Sequence, residues 1–217
     1  WSASELEHID AATLARWIGQ DLDDPERAEI VGLYARALQT LGRFLREKFG
    51  SSFEALVASA RGSAARLITT LGEMPFYRDE ATHPEAGRVA FYKRAQITAS
   101  DLALALNGNG LGAFDDLDRL TMFADNLVPH VLRHFGVLQF VPSLAERIER
   151  EELLTAGAAE EIEIRAGGVH AVEGLVNRLA ARGHPLPART LDAMLWTRGQ
   201  NPEIKARPRH RARSVWY

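Results

Sequence analysis

The sequence predicts an all-α fold, arranged as a single multi-helix domain over residues 1–217. Apolar residues recur at helical spacing along most of the chain, and no segment shows the alternation that is typical of a half-buried strand. Proline, aspartate and glycine stand where helices would begin or end. We therefore expect about eight to ten helices around one core. Because the chain opens at Trp1 and not at methionine, we also expect that an N-terminal portion is missing.

The first long helix is predicted in the segment DPERAEIVGLYARALQTLGRFLREKFG, which begins at Asp24. Pro25 suits the first turn of a helix, and Gly50 provides the stop. Shorter helices are expected at residues 52–60 and 63–73. The following stretch, GEMPFYRDEATHPEAGR, is rich in proline and glycine and is predicted to be a loop.

The second long helix is predicted in VAFYKRAQITASDLALALNGNG, where Asn107 and Gly108 form the stop. Residues 115–123 are expected to continue as helix, with Asp115 or Asp116 as the cap. Pro129 then suits the first turn of a further helix that runs to Gly136. The remaining segments with helical periodicity are residues 143–152, 156–182 and 188–198.

Composition excludes several classes of site. The chain has no cysteine, so disulfides, thiolate zinc sites and a cysteine nucleophile are ruled out. No apolar run reaches the length that spans a bilayer, and nothing resembles a signal peptide, so we expect a cytoplasmic protein without membrane contact. His130 and His134 have i, i+4 spacing, but no glutamate stands between them in the metalloprotease arrangement. We expect neither a metal nor a cofactor.

The net charge of -3 provides no general attraction for polyanions, but the C-terminal segment is basic. Residues 198–213, RGQNPEIKARPRHRAR, carry six lysines and arginines against one acid, Glu203. Such a segment either binds a phosphate or forms a solvated end, and composition alone favours the solvated end.

Asp125 is the most unusual polar residue, because it lies within the apolar stretch RLTMFADNLVPHVL. Burial disfavours an ionised carboxylate and raises its pKa. The predicted helix start near Pro129 acts in the opposite direction, since free backbone N–H groups stabilise a nearby negative charge.

Three further residues admit a functional and an ordinary interpretation. Lys93 shares a helix face with apolar residues, which favours a snorkelling lysine, although a buried pair with Asp125 is the alternative. Arg165, in EEIEIRAGG, fits surface ion pairing. Trp196, in LDAMLWTR, fits core packing better than stacking on a planar ligand.

Several separated blocks together resemble the queuosine salvage family, the queuosine 5'-phosphate N-glycosylases. These blocks are GSSFEAL, PFYRD, FYKRAQITASDL, LTMFADNLVP, EEIEIRAGGVHAVE, LDAMLW and the ending PRHRARSVWY. Their order and spacing agree from about residue 30 to the C-terminus, and agreement among many blocks is far more specific than any one motif.

The resemblance implies hydrolysis of the N-glycosidic bond of queuosine 5'-phosphate, which releases queuine for salvage and tRNA modification. It also implies an all-helical fold that is distantly similar to helix-hairpin-helix DNA glycosylases. Lys93 and Asp125 match the catalytic pair of the family. The ending suggests a phosphate site, and the other matching residues suggest contacts with the substrate. These substrate-binding candidates are Tyr92, Phe123, Arg165, Trp196, His210, Arg211, Arg213 and Tyr217.

The expected partner is therefore a small nucleotide, with no stable nucleic-acid complex. One alternative is a DNA or RNA base glycosylase, which the net charge of -3 disfavours because duplex binding depends on many phosphate contacts. The other alternative is a helical interaction scaffold without chemistry. That protein would have an exposed or merely capping Asp125 and no pocket beside Lys93.

Overall fold

The computed structural model describes residues 1–216, and helices account for 59% of the fold against 6% for strands. The mostly helical single domain predicted from periodicity is thus confirmed, with the addition of four short strands. The helices are α1 (Ala3–His8), α2 (Ala11–Ile18), α3 (Pro25–Phe49), α4 (Phe53–Ser59), α5 (Ala64–Leu71), α6 (Lys93–Ala105), α7 (Leu127–His134), α8 (Pro142–Glu149), α9 (Ala159–Ala181), α10 (Ala188–Gly199) and α11 (Pro202–Lys205). The strands are β1 (Glu80–His83), β2 (Gly87–Ala90), β3 (Leu153–Leu154) and β4 (Arg211–Ala212).

The ends of α3 are formed by the residues that predicted them. The Asp24 side chain accepts a hydrogen bond from the Arg27 N–H, and Pro25 is the first helical residue. Gly50 ends the helix in the left-handed conformation, with φ of 57°. Because glycine adopts this conformation without steric cost, the helix stops there.

The prediction of helix at residues 115–123 is wrong. Only Leu117–Arg119 forms a single 3₁₀ turn, and the chain then runs without regular structure to α7. Asp116 does cap a helix, but that helix is α5: its carboxylate accepts the N–H groups of Ala64 and Ala65. The predicted cap of residues 115–123 is therefore also wrong, because the helix that Asp116 caps lies about 50 residues away in sequence.

The predicted loop before α6 contains an antiparallel hairpin, in which β1 pairs with β2 and Glu80 lies opposite Ala90. The helix predicted from Val89 therefore begins only at Lys93. Tyr92 separates strand from helix in the left-handed conformation, with φ of 48°, which is uncommon for an aromatic residue. β3 and β4 pair in parallel and fasten the C-terminal segment to the chain after α8.

The buried residues lie in two main groups, and the hairpin packs against the second of them. One group unites α3, α4, α5 and α6, and the other unites α7, α9 and α10. Gly199 allows α10 to approach α7 closely, because a Cβ there would lie 2.8 Å from Leu127 Cγ. Within residues 1–216, no helix is both long and apolar enough to cross a membrane.

Candidate active site

Asp125 lies where the sequence predicted, two residues ahead of α7. Its side chain is buried at 7% exposure. Oδ1 accepts hydrogen bonds from the N–H groups of Leu127 at 3.0 Å and Val128 at 2.9 Å. Because both bonds go to Oδ1, the second carboxylate oxygen is not engaged by any group of residues 1–216 and is available to a ligand.

The pKa of Asp125 is raised above its ordinary value, and burial is the largest cause. The two backbone N–H groups and the positive charges of Lys93 and Arg209 act in the opposite direction. The oriented N–H groups and positive charges therefore offset only part of the effect of burial, which leaves Asp125 a poorly solvated carboxyl group with a perturbed pKa, a common feature of active sites.

Lys93 is the first residue of α6 and is partly buried. Burial lowers the pKa of its ammonium group, whereas the negative charges of Asp125 and Asp79 raise it. The ammonium is therefore desolvated and lies in the field of Asp125, which favours the buried-pair interpretation over a snorkelling lysine.

A cavity of about 440 Å³ opens beside Lys93. Apolar lining comes from α3, and residues of the C-terminal segment also line the cavity. Polar donors are provided by Lys93, Arg94, Tyr34 and Ser214. The volume is within the range of small-molecule sites. The lining residues are Ile30, Leu33, Tyr34, Ala37, Phe76, Lys93, Arg94, Ser214, Val215 and Trp216.

Asp192, on α10, is a second buried carboxylate beside Asp125 that sequence reasoning missed. Its exposure is 5%, and its Oδ1 accepts the N–H of Phe123 at 3.0 Å. Burial and the negative charge of Asp125 raise the pKa of Asp192 to about 7. A signal was present, because an aspartate inside the apolar run LDAML is as costly as Asp125 in its own run.

Arg165 lies behind Asp125 and is buried at 2% exposure. Its Nε donates to the Ala124 carbonyl at 3.0 Å, its Nη1 donates to Asp79 Oδ1 at 2.9 Å, and Glu161 Oε1 is 3.5 Å away. The guanidinium also covers the Phe91 ring at 4.0 Å. The prediction of surface ion pairing is thus wrong for Arg165 and Glu161, and Arg165 contacts protein groups that hold the chain at Asp125.

The three aromatic candidates lie in different surroundings. Phe123 is partly buried against the first core group, and its backbone positions Asp192. Trp196 is 49% exposed, so the core-packing interpretation is wrong, and its i+4 spacing places it on the same side of α10 as Asp192. The Tyr92 hydroxyl donates to Glu80, and the residue lines a separate cavity of about 630 Å³.

The substrate-binding candidates of the C-terminal segment also lie in different surroundings. His210 is buried, and burial together with the charges of Arg165, His130 and Arg209 lowers the pKa of His210 to about 4, so it is neutral at pH 7. Arg211 donates to the Glu151 carbonyl at 2.8 Å, and Arg213 pairs with Glu29; both are exposed. Tyr217 lies outside the described residues.

No group of three histidine, aspartate or glutamate side chains that could hold a metal ion is found among residues 1–216. His130, one member of the histidine pair noted in the sequence, is buried and its Nε2 lies 2.8 Å from the Ile204 carbonyl. That contact fastens α7 to α11, so His130 has a structural partner.

Comparison with known proteins identifies the family and several relatives of this chain. A family model described as "Queuosine salvage protein" matches residues 1–217. A protein of Sphaerobacter thermophilus is 45% identical over 184 residues, which cover 84% of this chain and 57% of the relative. A Dictyostelium discoideum protein is 36% identical, with 100% of this chain and 66% of the relative covered. A Mus musculus protein is 38% identical, with 84% and 56% covered.

Each of these relatives is named queuosine 5'-phosphate N-glycosylase/hydrolase. The chain spans less than two thirds of their length.

Proposed function

Because the chain belongs to the queuosine salvage protein family, we propose that it is an N-glycosylase that hydrolyses queuosine 5'-phosphate. The products are queuine and ribose 5-phosphate. The observation that carries this proposal is the cluster of Lys93, Asp125 and Asp192, three poorly solvated ionisable groups in each other's field, of which Lys93 also lines a cavity. The substrate is a nucleotide, and water is the second reactant of the hydrolysis.

The chemistry requires a negative charge near the sugar. Cleavage of the bond passes through an oxocarbenium-like state, in which an ionised carboxylate stabilises the positive sugar or activates the attacking water. Asp125 suits this role, because two backbone N–H groups and Lys93 favour its charged form and its Oδ2 is available. Lys93 keeps Asp125 ionised.

The departing base needs a proton donor. Queuine is a 7-deazaguanine and lacks the ring nitrogen that is usually protonated when a purine leaves, so hydrogen bonding to its remaining edge becomes more important. Asp192 suits this role, because its pKa of about 7 leaves a large protonated fraction at neutral pH. In this proposal Asp192 supplies the proton and Asp125 supplies the negative charge, so the two carboxyl groups perform different tasks.

The 5'-phosphate is proposed to lie in the 440 Å³ cavity, near Lys93, Arg94 and Ser214. These groups donate charge-assisted or hydroxyl hydrogen bonds, which suit phosphate oxygens. The tail arginines Arg211 and Arg213 were expected to hold the phosphate on the basis of the resemblance, and this role stays a prediction. For the base, the supported stacking candidate is Trp196, because it is exposed one helical turn from Asp192.

We further propose that the fold is distantly similar to helix-hairpin-helix DNA glycosylases, since a lysine and a later aspartate ahead of a helix are arranged here as the resemblance implies. The alternative of a scaffold without chemistry is not supported. That alternative expects an exposed or merely capping Asp125 and no pocket beside Lys93. Asp125 does cap the start of α7 through Oδ1, but it is buried, and a pocket lies beside Lys93.

The test is incubation of the protein with queuosine 5'-phosphate, with queuosine and with an oligonucleotide that carries a damaged base, followed by mass spectrometry of the free base. We expect release from queuosine 5'-phosphate and a much slower reaction of queuosine. Reaction of the oligonucleotide alone would mean that the salvage function is wrong. Release from none of the three would favour the scaffold, and the Asp125→Asn variant serves as the matched inactive control.

A further inference from the structure

Asp79 is almost completely buried, at 1% exposure, and does not line the cavity. It lies between the start of α6, which carries Lys93, and Arg165 of α9. Its carboxylate faces two elements at once. Oδ2 accepts the backbone N–H of Lys93 at 3.2 Å, and Oδ1 accepts Arg165 Nη1 at 2.9 Å. A buried carboxylate that is fully engaged in this way is fixed in place, because any rotation would leave one of these donors unpaired.

The contact with Lys93 acts as a cap supplied from outside the helix. The residue before α6 is Tyr92, which makes no side-chain capping bond and has a positive φ of 48°. The carboxylate of Asp79 therefore satisfies an N–H at the helix start, and its carbonyl accepts the Phe91 N–H at 2.9 Å. Both contacts hold the turn that sets the direction of the Lys93 side chain.

The contact with Arg165 extends to the second catalytic residue. Arg165 donates through Nε to the Ala124 carbonyl, the residue immediately before Asp125. A continuous chain of hydrogen bonds thus runs from the Lys93 backbone through Asp79 and Arg165 to the peptide that carries Asp125. Its ends are the two residues whose relative position matters for the proposed chemistry.

We propose that Asp79 is a positioning residue, which fixes Lys93 and Asp125 relative to each other through its bonds to the Lys93 N–H and to Arg165. This inference rests on the proposed function and adds a residue that touches neither the sugar nor the base. Reacting groups lose rate steeply when they are misplaced by as little as about 1 Å. Loss of Asp79 should therefore lower kcat and leave KM nearly unchanged.

The first test is the Asp79→Asn variant, which keeps the shape and removes the charge. We expect kcat for queuine release to fall by about 10²-fold while KM changes little, since Asp79 does not line the cavity. The matched control is Leu14→Ala, which removes a buried side chain of α2 and weakens the fold at a residue that does not line the cavity. Both variants are assayed at temperatures where circular dichroism shows them fully folded.

The second test measures Lys93 directly by carbon-13 labelling of the lysine side chains. The chain has only three lysines, Lys48, Lys93 and Lys205, so each signal is assigned by single replacement. We expect the Lys93 signal of Asp79→Asn to titrate at lower pH than in the unaltered protein, because a negative charge near the ammonium is lost while Arg165 remains. The charged groups that act on this ammonium are Asp79, Arg94, Asp125, Arg165 and Asp192.

Three results would overturn the proposal. The first two are an unchanged kcat and an unmoved Lys93 titration in Asp79→Asn. The third is a loss of kcat in Leu14→Ala as large as that in Asp79→Asn, which would assign the effect to general weakening of the fold. The titration needs no substrate, so it judges the positioning role even if the unaltered protein releases no queuine, the result that would refute the proposed function.

Discussion

Two pairs of buried carboxylates differ in the groups that compensate their negative charge. Asp125 and Asp192 are 7% and 5% exposed, and Asp79 and Glu161 are 1% and 2% exposed. Asp79 and Glu161 both face the Arg165 guanidinium, which pairs with Asp79 through two nitrogens. Asp125 and Asp192 receive backbone N–H groups and the more distant charge of Lys93.

The difference shows that a buried carboxylate can either hold neighbouring groups in place or remain available to react. An arginine fork engages a carboxylate on both oxygens and leaves it little capacity for a ligand. Backbone N–H groups on one oxygen leave the other available, and incomplete compensation raises the pKa of both Asp125 and Asp192. We call Asp125 and Asp192 the reactive pair, and Asp79, Glu161 and Arg165 the anchor.

The largest expected effect comes from neutralising the reactive pair at Asp125. Asp125→Asn should lower the rate of queuine release by about 10²- to 10⁴-fold, because the amide cannot stabilise a sugar cation or accept a proton. The free energy of unfolding should be unchanged or higher, since a desolvated charge is removed. Stopped assays and urea unfolding provide the two measurements.

The matched control for Asp125→Asn is Asp118→Asn, which removes an exposed carboxylate paired with Arg189. Its rate should equal that of the unaltered protein. Full activity of Asp125→Asn would refute the assignment of Asp125 to the reaction.

The next largest effect should appear in the anchor, as a loss of stability. Arg165→Met leaves Asp79 and Glu161 buried without the guanidinium, and breaking a buried ion pair in this way costs about 3–5 kcal/mol of unfolding free energy. Urea unfolding measures the change. Arg147→Met, which removes a partly exposed pair with Glu160, should cost less than about 1 kcal/mol. Equal losses in the two variants would contradict the distinction between anchor and surface pairs.

A third prediction concerns pH and Asp192. Its folded-state pKa of about 7 lies above the value of about 3.9 expected in the unfolded chain. Between these values the folded state binds more protons than the unfolded state, so this group contributes stability at low pH that is lost as the pH rises to about 7. Asp192→Asn removes this dependence.

Urea unfolding of both proteins at pH 5 and pH 8 checks the prediction about Asp192. The variant should gain stability relative to the unaltered protein as the pH rises. Parallel stabilities at the two pH values would mean that Asp192 is already ionised at pH 5. In activity, loss of the protonated form of Asp192 should lower the rate above about pH 7.

The part of the site that could be predicted from sequence is the part set by neighbouring residues. Asp125 was placed ahead of a helix because Pro129 and the apolar spacing mark the start of α7, and its bonds reach only two and three residues along the chain. The same local rules predicted the ends of α3 and the existence of α9 and α10.

The rest depends on contacts between residues that are far apart in sequence. Asp192 meets the Phe123 N–H across 69 residues, and Arg165 meets Asp79 across 86. Periodicity contains no information about such pairs, so Arg165 was assigned to the surface and Asp192 was overlooked. The hairpin was missed for a related reason, because two four-residue strands stabilise each other only after they pair.

The smallest expected effect concerns Arg213 in the C-terminal segment, because its charge is exposed and is paired with Glu29, not with Asp125 or Asp192. Arg213→Gln should therefore change stability by less than about 1 kcal/mol.

Arg94→Gln alters a residue that lines the proposed phosphate cavity. The ratio of kcat/KM for queuosine 5'-phosphate to that for queuosine separates the two positions. We expect this ratio to fall clearly in Arg94→Gln and to change by less than about fivefold in Arg213→Gln. Equal falls would mean that Arg213 binds the phosphate as well as Arg94, as the resemblance implied for the tail, and the Arg213–Glu29 pair would then be a contact that the substrate replaces.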